Sequence, residues 1–240
     1  MKLILTTLIF LRTLSLFGQE SKFNCDLISV QIKIKSDSLI YENSFIDKHK
    51  DIGLIGKSKA DFELRYYNTP SLANGGHVII ISCVDNTIKA KKVTYWFSVK
   101  QDYEKRRINK TKVEELKPTK TWNSFFNTLD SMNFYNFPTM EEIRPKMKKY
   151  MTLEDGRVVE KRSMITDGVY YTFEIKIKDK IRKFSYHSPI SWYKVYDHVD
   201  ELKQAEEIKE FFKNNLTNGN SRQHRVCLMA GDTVARKCKQ

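Results

Sequence analysis

Residues 169–186, VYYTFEIKIKDKIRKFSY, decide the fold class of this chain because apolar and polar side chains alternate along them. A period of two is typical of a strand with one buried face. If the chain reverses about Asp179-Lys180, Ile175 faces Phe184 and Phe173 faces Tyr186. Both strands then present the same apolar face, so the stretch predicts a β-hairpin packed on a core.

Further strands are predicted in the part of the chain that precedes this hairpin. A continuous apolar run at 77–84 indicates a central strand buried on both faces. Asn74-Gly75-Gly76 and Asp85-Asn86 provide the turns on either side of that run. The other predicted strands lie at 27–35, 62–66 and 89–99, and Asp155-Gly156 predicts a short hairpin within 150–159.

Two helices are predicted from apolar residues spaced three and four apart. The first carries Trp122, Phe125 and Leu129, and the second runs from about Trp192 to Asn214. We therefore expect an α+β fold: an antiparallel β-sheet meander of six to eight strands with two amphipathic helices packed on one face. This single domain would span 25–215, with 216–240 as a C-terminal tail. Two small α+β halves that divide near 140–150 are the alternative.

The first 18 residues resemble a secretory signal peptide. Lys2 precedes an apolar run at 3–11, and the small residue Gly18 precedes Gln19. Arg12 interrupts the run, which is too short to cross a bilayer. We expect cleavage near Gly18-Gln19, a secreted or periplasmic protein, and no transmembrane segment in the mature chain.

The chain has four cysteines, and these can form disulfides if the protein is exported, because an oxidising compartment permits such bonds. Cys227 and Cys238 bracket a short segment and are predicted to form a disulfide that closes the tail. Cys83 lies in the apolar run at 77–84, where a free buried thiol is expected. Three pairings of four cysteines are possible, so the state of Cys25 stays open.

The charge of the chain is strongly positive. The net charge is +13, and loss of Lys2 and Arg12 with the leader leaves about +11. A polyanion-binding protein of the cell envelope is therefore one alternative function. It requires the basic residues of one region to converge on one surface, namely Lys89, Lys91, Lys92, Lys100, Lys105, Arg106 and Arg107. The chain has 31 Lys and 11 Arg. Nucleic acid is a less favoured partner, because base recognition relies mainly on Arg.

Catalytic motifs give little support for an enzyme. Residues 51–58 resemble a phosphate-binding loop, but Asp51 stands where the motif needs its first Gly, so no nucleotide partner and no cofactor are predicted. No metal site and no catalytic residue are assigned. A hydrolase that uses His187 and His198, at a strand end and on the following helix, is a second alternative.

Adjacent aromatic residues on strands indicate a binding surface instead. In the pairs Tyr66-Tyr67, Tyr95-Trp96 and Tyr170-Tyr171, one ring must face away from the core. Exposed aromatics flanked by Lys can bind sugars or proteins. The sequence thus favours a non-enzymatic binding or interaction module for a protein or an envelope glycan, with Tyr67, Trp96, Tyr170 and His187 as candidate binding residues.

The order of these segments resembles a known group of proteins. The relevant stretches are Phe62-Glu63-Leu64-Arg65, the strand at 78–84, the Trp122 helix, Asp167-Gly168-Val169-Tyr170-Tyr171 and Tyr186-His187-Ser188-Pro189. With the leader that ends Phe17-Gly18-Gln19, they resemble the small exported proteins of unknown function found in Bacteroidota. The resemblance covers roughly 60–210 and implies export but no activity and no functional residue.

Overall fold

The fold is taken from a computed structural model that describes residues 34, 45–98, 107–161 and 163–219. The described chain forms a seven-stranded antiparallel sheet in the order β8-β7-β1-β2-β3-β4-β9. This confirms the predicted α+β class and antiparallel sheet. The strands are β1 (Phe62–Pro70), β2 (Gly75–Val84), β3 (Thr87–Phe97), β4 (Ile108–Pro118), β7 (Val169–Ile177), β8 (Lys180–His187) and β9 (Leu216–Asn218).

Consecutive strands β1 to β4 form the meander in the middle of the sheet. Asp85 and Asn86 have positive φ angles of 50° and 57°, as a two-residue hairpin turn between β2 and β3 requires. β1 also pairs with β7 from Phe62↔Ile177 to Pro70↔Val169. Strands β1 to β4, β7 and β8 therefore belong to one continuous sheet.

The β7–β8 hairpin forms in a register that differs from the predicted one. The turn lies at Lys178-Asp179, and Phe173 pairs with Phe184. This shift of two residues keeps every side chain on its expected face. It also places Glu174 opposite Lys183, with a 3.3 Å ion pair.

The sequence patterns missed two strands and found a small separate hairpin. β4 is largely polar, and β9 occupies 216–218, which were expected to begin the tail; β9 pairs with β4 through three residues. The hairpin of β5 (Tyr150–Thr152) and β6 (Val158–Glu160) surrounds Asp155-Gly156 as predicted. Gly156 has φ 83° in its turn.

In the described ranges, four α-helices accompany the sheet: α1 (Trp122–Ser131), α2 (Met140–Ile143), α3 (Pro189–Tyr193) and α4 (Asp200–Asn215). The predicted single helix from Trp192 to Asn214 is wrong, because the chain leaves helical geometry between α3 and α4. The break lets Tyr196 bury its ring and stack on Trp192 at 5.9 Å, while Val199 is buried at the start of α4. α1 begins as expected, with the Thr121 hydroxyl accepting from Ser124 N at 3.2 Å.

Each face of the sheet carries a separate apolar cluster. Phe62, Leu64 and Ile81 share the larger cluster with buried residues of α1 and α4, and we call this side the helix face. Tyr67, Val78, Ile80, Val93 and Tyr95 form the smaller cluster on the opposite face with Ile46 and Ile52. Residues 45–58, in which 3-10 turns form at Phe45–Lys48 and Ile55–Lys57, therefore cover part of the opposite face.

Several predictions fall on residues that the structure does not describe. The leader, the strand at 27–35, Cys25, Cys227 and Cys238 all lie outside the described residues and stay predictions. Cys83 is buried and forms a disulfide, so the predicted free thiol is wrong; its partner lies outside the described residues. Among the helices that are described, none combines the length and the apolar character needed to cross a membrane.

Candidate functional site

A groove opens on the helix face between the sheet and the C-terminal half of α4. It has a volume of about 540 Å³, which lies within the usual range of ligand pockets. We call it the α4 groove. Its buried apolar floor consists of Tyr66, Ile79, Leu116, Phe212 and Leu216, and its half-buried polar rim includes Asn68, His77, Lys92, Glu114, Tyr171 and Lys209.

The strand register explains why the groove opens at this point. On the helix face, Ile81 of β2, Ala90 of β3 and Leu116 of β4 lie side by side and belong to the core. One step further along the strands, Ile79 lies beside Lys92, and Lys92 beside Glu114. The core therefore gives way to polar side chains across adjacent strands, and these cannot close against α4.

Aromatic rings form the deepest part of the α4 groove. The Tyr66 ring lies 5.2 Å from Phe212 and 6.3 Å from Tyr171, measured between centroids. Tyr66 is buried, and burial raises the pKa of its hydroxyl. Tyr171 is half-buried and leaves part of its ring at the rim, where Lys209 Nζ lies 5.5 Å from the ring centroid.

Ion pairs hold the α4 side of the rim in place. Lys209 Nζ contacts Glu206 and lies 2.6 Å from Glu210 Oε1, and Lys213 lies 3.3 Å from Glu210. Burial alone would lower the pKa of Lys209, but these carboxylates outweigh it and raise the pKa. Lys209 is therefore a fixed cation whose charge is already compensated.

His77 is the rim residue best suited to hydrogen-bond a ligand. Burial, followed by the charge of Lys92, lowers its pKa to about 4, so the imidazole is neutral at physiological pH. Its ring packs edge-on against Tyr66 at 6.2 Å. Within the described part of the chain, neither ring nitrogen has a hydrogen-bond partner, so one donor and one acceptor remain available.

Of the predicted binding residues, Trp96 lies on the same face as the α4 groove. It is 38% exposed, and Lys110 Nζ lies 5.6 Å from its ring centroid. Trp96 follows Lys92 by four residues on β3, which places it about 13 Å further along the strand. It therefore provides an aromatic surface beyond the end of the groove.

The other predicted binding residues do not share that face. Tyr67 is 5% exposed on the opposite face, where residues 45–58 cover it. Tyr170 is 50% exposed and stacks on His187 at 4.5 Å, also on the opposite face. The prediction of a common aromatic surface formed by Tyr67, Trp96, Tyr170 and His187 is wrong, because alternation along the paired strands puts Trp96 on the other side.

Tyr67 instead belongs to a buried charged cluster, the Arg65 network, formed by Asp47, Glu63, Arg65, Tyr67 and Glu174. Arg65 Nε donates to Glu63 Oε1 at 2.6 Å, and Arg65 Nη1 donates to the Gly53 carbonyl at 2.7 Å. The Ser58 hydroxyl donates to Glu63. These bonds fasten residues 45–58 to the sheet.

Within the network, one hydroxyl lies between two carboxylates. Tyr67 Oη is 2.7 Å from Asp47 Oδ1 and 3.1 Å from Glu174 Oε2, and it can donate to one of them at a time. Burial, followed by the charge of Glu174, raises the pKa of Asp47 to about 6. All five side chains are at most 5% exposed, so the network has a structural role and no surface for a ligand.

The two residues of the hydrolase alternative are not brought together. His187 stacks on Tyr170, whereas His198 Nε2 lies 3.1 Å from the carbonyl of Lys146. No ring contact, hydrogen bond or ion pair joins the two imidazoles in the described ranges. In those same ranges, no three His, Cys, Asp or Glu side chains converge as a metal site requires.

The lysines of the polyanion alternative also separate, because they alternate along β3. Lys89 and Lys91 face the opposite side from Lys92, and Lys91 Nζ donates to the Asp51 carbonyl at 2.6 Å. Lys100 and Lys105 lie outside the described residues. The described lysines of that set therefore do not form one surface.

Sequence reasoning missed Tyr66, His77, Lys92, Tyr171 and Lys209 as site residues. A signal was present, since His77 and Lys92 interrupt apolar positions that face the core on adjacent strands. Using it requires the strand pairing, which the sequence does not provide. Comparison with protein families, curated proteins and solved structures gives no match to this chain.

Proposed function

We propose that this protein is an exported, non-enzymatic binding module that holds a glycan of the cell envelope in the α4 groove. The observation that carries the proposal is the combination of an aromatic and apolar floor with a neutral, unpartnered imidazole at the rim. A pyranose ring has a flat face of C–H groups and a periphery of hydroxyls. The C–H face would pack on Tyr66 and Tyr171, and the hydroxyls would form hydrogen bonds with side chains such as His77 and Asn68.

The geometry also favours a ligand of several sugar units. A single ring fills only part of a cavity of about 540 Å³. Trp96 then offers a further stacking surface about 13 Å along β3 from Lys92. We therefore propose an oligosaccharide that lies along the helix face, from Tyr171 towards Trp96.

The proposal includes the surrounding architecture and compartment. Two amphipathic helices, α1 and α4, would cover one face of the sheet, as their shared apolar cluster supports. Cleavage near Gly18-Gln19 would deliver the mature chain to an oxidising compartment, with Cys227–Cys238 and Cys25–Cys83 as its disulfides. Intact mass with and without reductant tests this part; a retained leader, or four alkylatable thiols before reduction, would contradict it.

Adjacent tyrosines provide the matched pair that tests the binding function. Tyr171 lines the groove and Tyr170 is exposed on the opposite face. We expect the mature protein to bind members of an array of neutral and acidic oligosaccharides. Tyr171→Ala should weaken that binding at least about fivefold, since a stacked ring contributes about 1 kcal/mol or more, whereas Tyr170→Ala should leave it unchanged.

Calorimetric titration of the best array ligand measures these differences. The proposal fails if no oligosaccharide of the array binds, or if Tyr170→Ala weakens binding as much as Tyr171→Ala. Circular dichroism of both variants verifies that each retains the fold.

A further inference from the structure

We infer that the glycan bound in the α4 groove carries a carboxylate, as a uronic acid does, and that Lys92 is the residue that binds it. This inference rests on the proposed glycan-binding function and adds the chemical class of the ligand. The basis of the inference is the pairing of charged side chains at the rim, in which Lys92 alone of the described lysines there has no acidic partner.

The other lysines at the groove already have acidic partners. Lys209 is held by Glu206 and Glu210, and Lys213 contacts Glu210. Lys112 lies 3.0 Å from Glu114 Oε1, which also accepts from Asn218 Nδ2 at 3.0 Å. Together these contacts engage every glutamate around the groove.

Lys92 has no such partner. It is half-buried, and in the part of the chain that the structure describes it forms neither an ion pair nor a hydrogen bond. On the helix face its neighbours across the strands are Ile79 and Glu114, and Glu114 Oε1 already accepts from Lys112 and Asn218. The described lining of the groove contains three lysines (Lys92, Lys209 and Lys213) and two glutamates (Glu114 and Glu210), so it carries one more positive charge than negative charges.

An uncompensated, partly desolvated ammonium group favours an anion with little water between the two charges. The floor requires a ligand with an apolar surface, and His77 adds a neutral donor and acceptor beside Lys92. A sugar ring with one carboxylate combines these properties. A polyanion such as DNA does not fit, because among the described residues a single free cation faces the groove.

The test compares acidic oligosaccharides with their own methyl esters, since esterification removes the charge and retains the ring. The probes are trigalacturonic acid and a hyaluronan tetrasaccharide, each free and fully methyl-esterified. We expect the protein to bind at least one of the free acids about tenfold or more tightly than its ester at pH 7 and low salt. Addition of about 0.5 M NaCl should reduce that preference, because salt screens the attraction between the carboxylate and Lys92.

Lys92→Gln and Lys89→Gln are matched variants, because both positions lie on β3 and face opposite sides of the sheet. Lys92→Gln should abolish the preference for the acid over its ester, while Lys89→Gln should retain that preference. Equal binding of acid and ester by the unaltered protein would overturn the inference and leave the glycan-binding function intact. A preference that survives in Lys92→Gln would also overturn it, as would failure of all four probes while another oligosaccharide binds through Tyr171. If no oligosaccharide of any kind binds, the proposed function itself fails.

Discussion

The two faces of the central sheet both bury charged and polar groups, but they differ in whether these groups have hydrogen-bond or ion-pair partners. On the opposite face, the members of the Arg65 network bond to one another or to the backbone of 45–58. On the helix face, His77 and Lys92 lie at the α4 groove without a partner among the described residues. Buried charge alone therefore does not mark a binding site; polar groups left unsatisfied beside a cavity do.

The largest effect that separates the two faces should come from Arg65. Arg65→Met removes the cation between Glu63 and Asp47 and leaves buried carboxylates without compensation. We expect a loss of about 3–5 kcal/mol in the free energy of unfolding, as for other buried ion pairs that lose one partner. Urea denaturation measures the loss.

Arg157→Met is the matched control, because Arg157 forms a comparable pair with Asp155 at 2.7 Å on the exposed β5–β6 turn. Its loss of stability should be far smaller than that of Arg65→Met, because water screens this exposed pair. Similar losses for the two variants would show that burial of the network contributes nothing, and the structural role assigned to it would be wrong.

A smaller effect, with a defined pH dependence, should come from Asp47. Because the folded state raises the pKa of Asp47 from 3.8 to about 6, its contribution to stability is complete below pH 3.8 and is lost as the pH rises through 6. Asp47→Asn cannot lose a proton, so it should gain stability relative to the unaltered protein between pH 4 and 7, by up to about 3 kcal/mol. Thermal unfolding across this range measures the difference, and a difference that does not change with pH would contradict it.

The smallest effect should come from His77 and should have the opposite sign. Its pKa falls from 6.5 to about 4 in the folded protein, so stability is complete above pH 6.5 and is lost as the pH falls towards 4. His77→Asn should flatten this acid-side loss by about 1–2 kcal/mol, less than the full shift because the ring lines an open groove. If the variant and the unaltered protein lose stability in parallel between pH 6.5 and 4, His77 is not the neutral group described for the rim.

Alternation in the sequence predicted which residues share a face of the sheet. It did not predict which segments of the chain cover each face. It placed Tyr66 with Phe62 and Leu64, and the β7–β8 hairpin kept its faces even though its register moved by two residues. Residues 45–58 have no helical or strand period, so nothing in the sequence indicated that they cover Tyr67. The α4 groove depends on neighbours across three strands, and that information appears only when the strands pair.

Hydrogen–deuterium exchange on the mature protein, with and without the tightest-binding oligosaccharide of the array, tests the contrast between the two faces most directly. The account predicts added protection in peptides that cover 66–68, 77–79 and 209–216, which surround the α4 groove. Peptides that cover 45–58 should exchange at the same rate in both states, because the network beneath them is already closed. Protection of 45–58 with unchanged exchange at the groove would contradict the assignment of the binding site to the helix face.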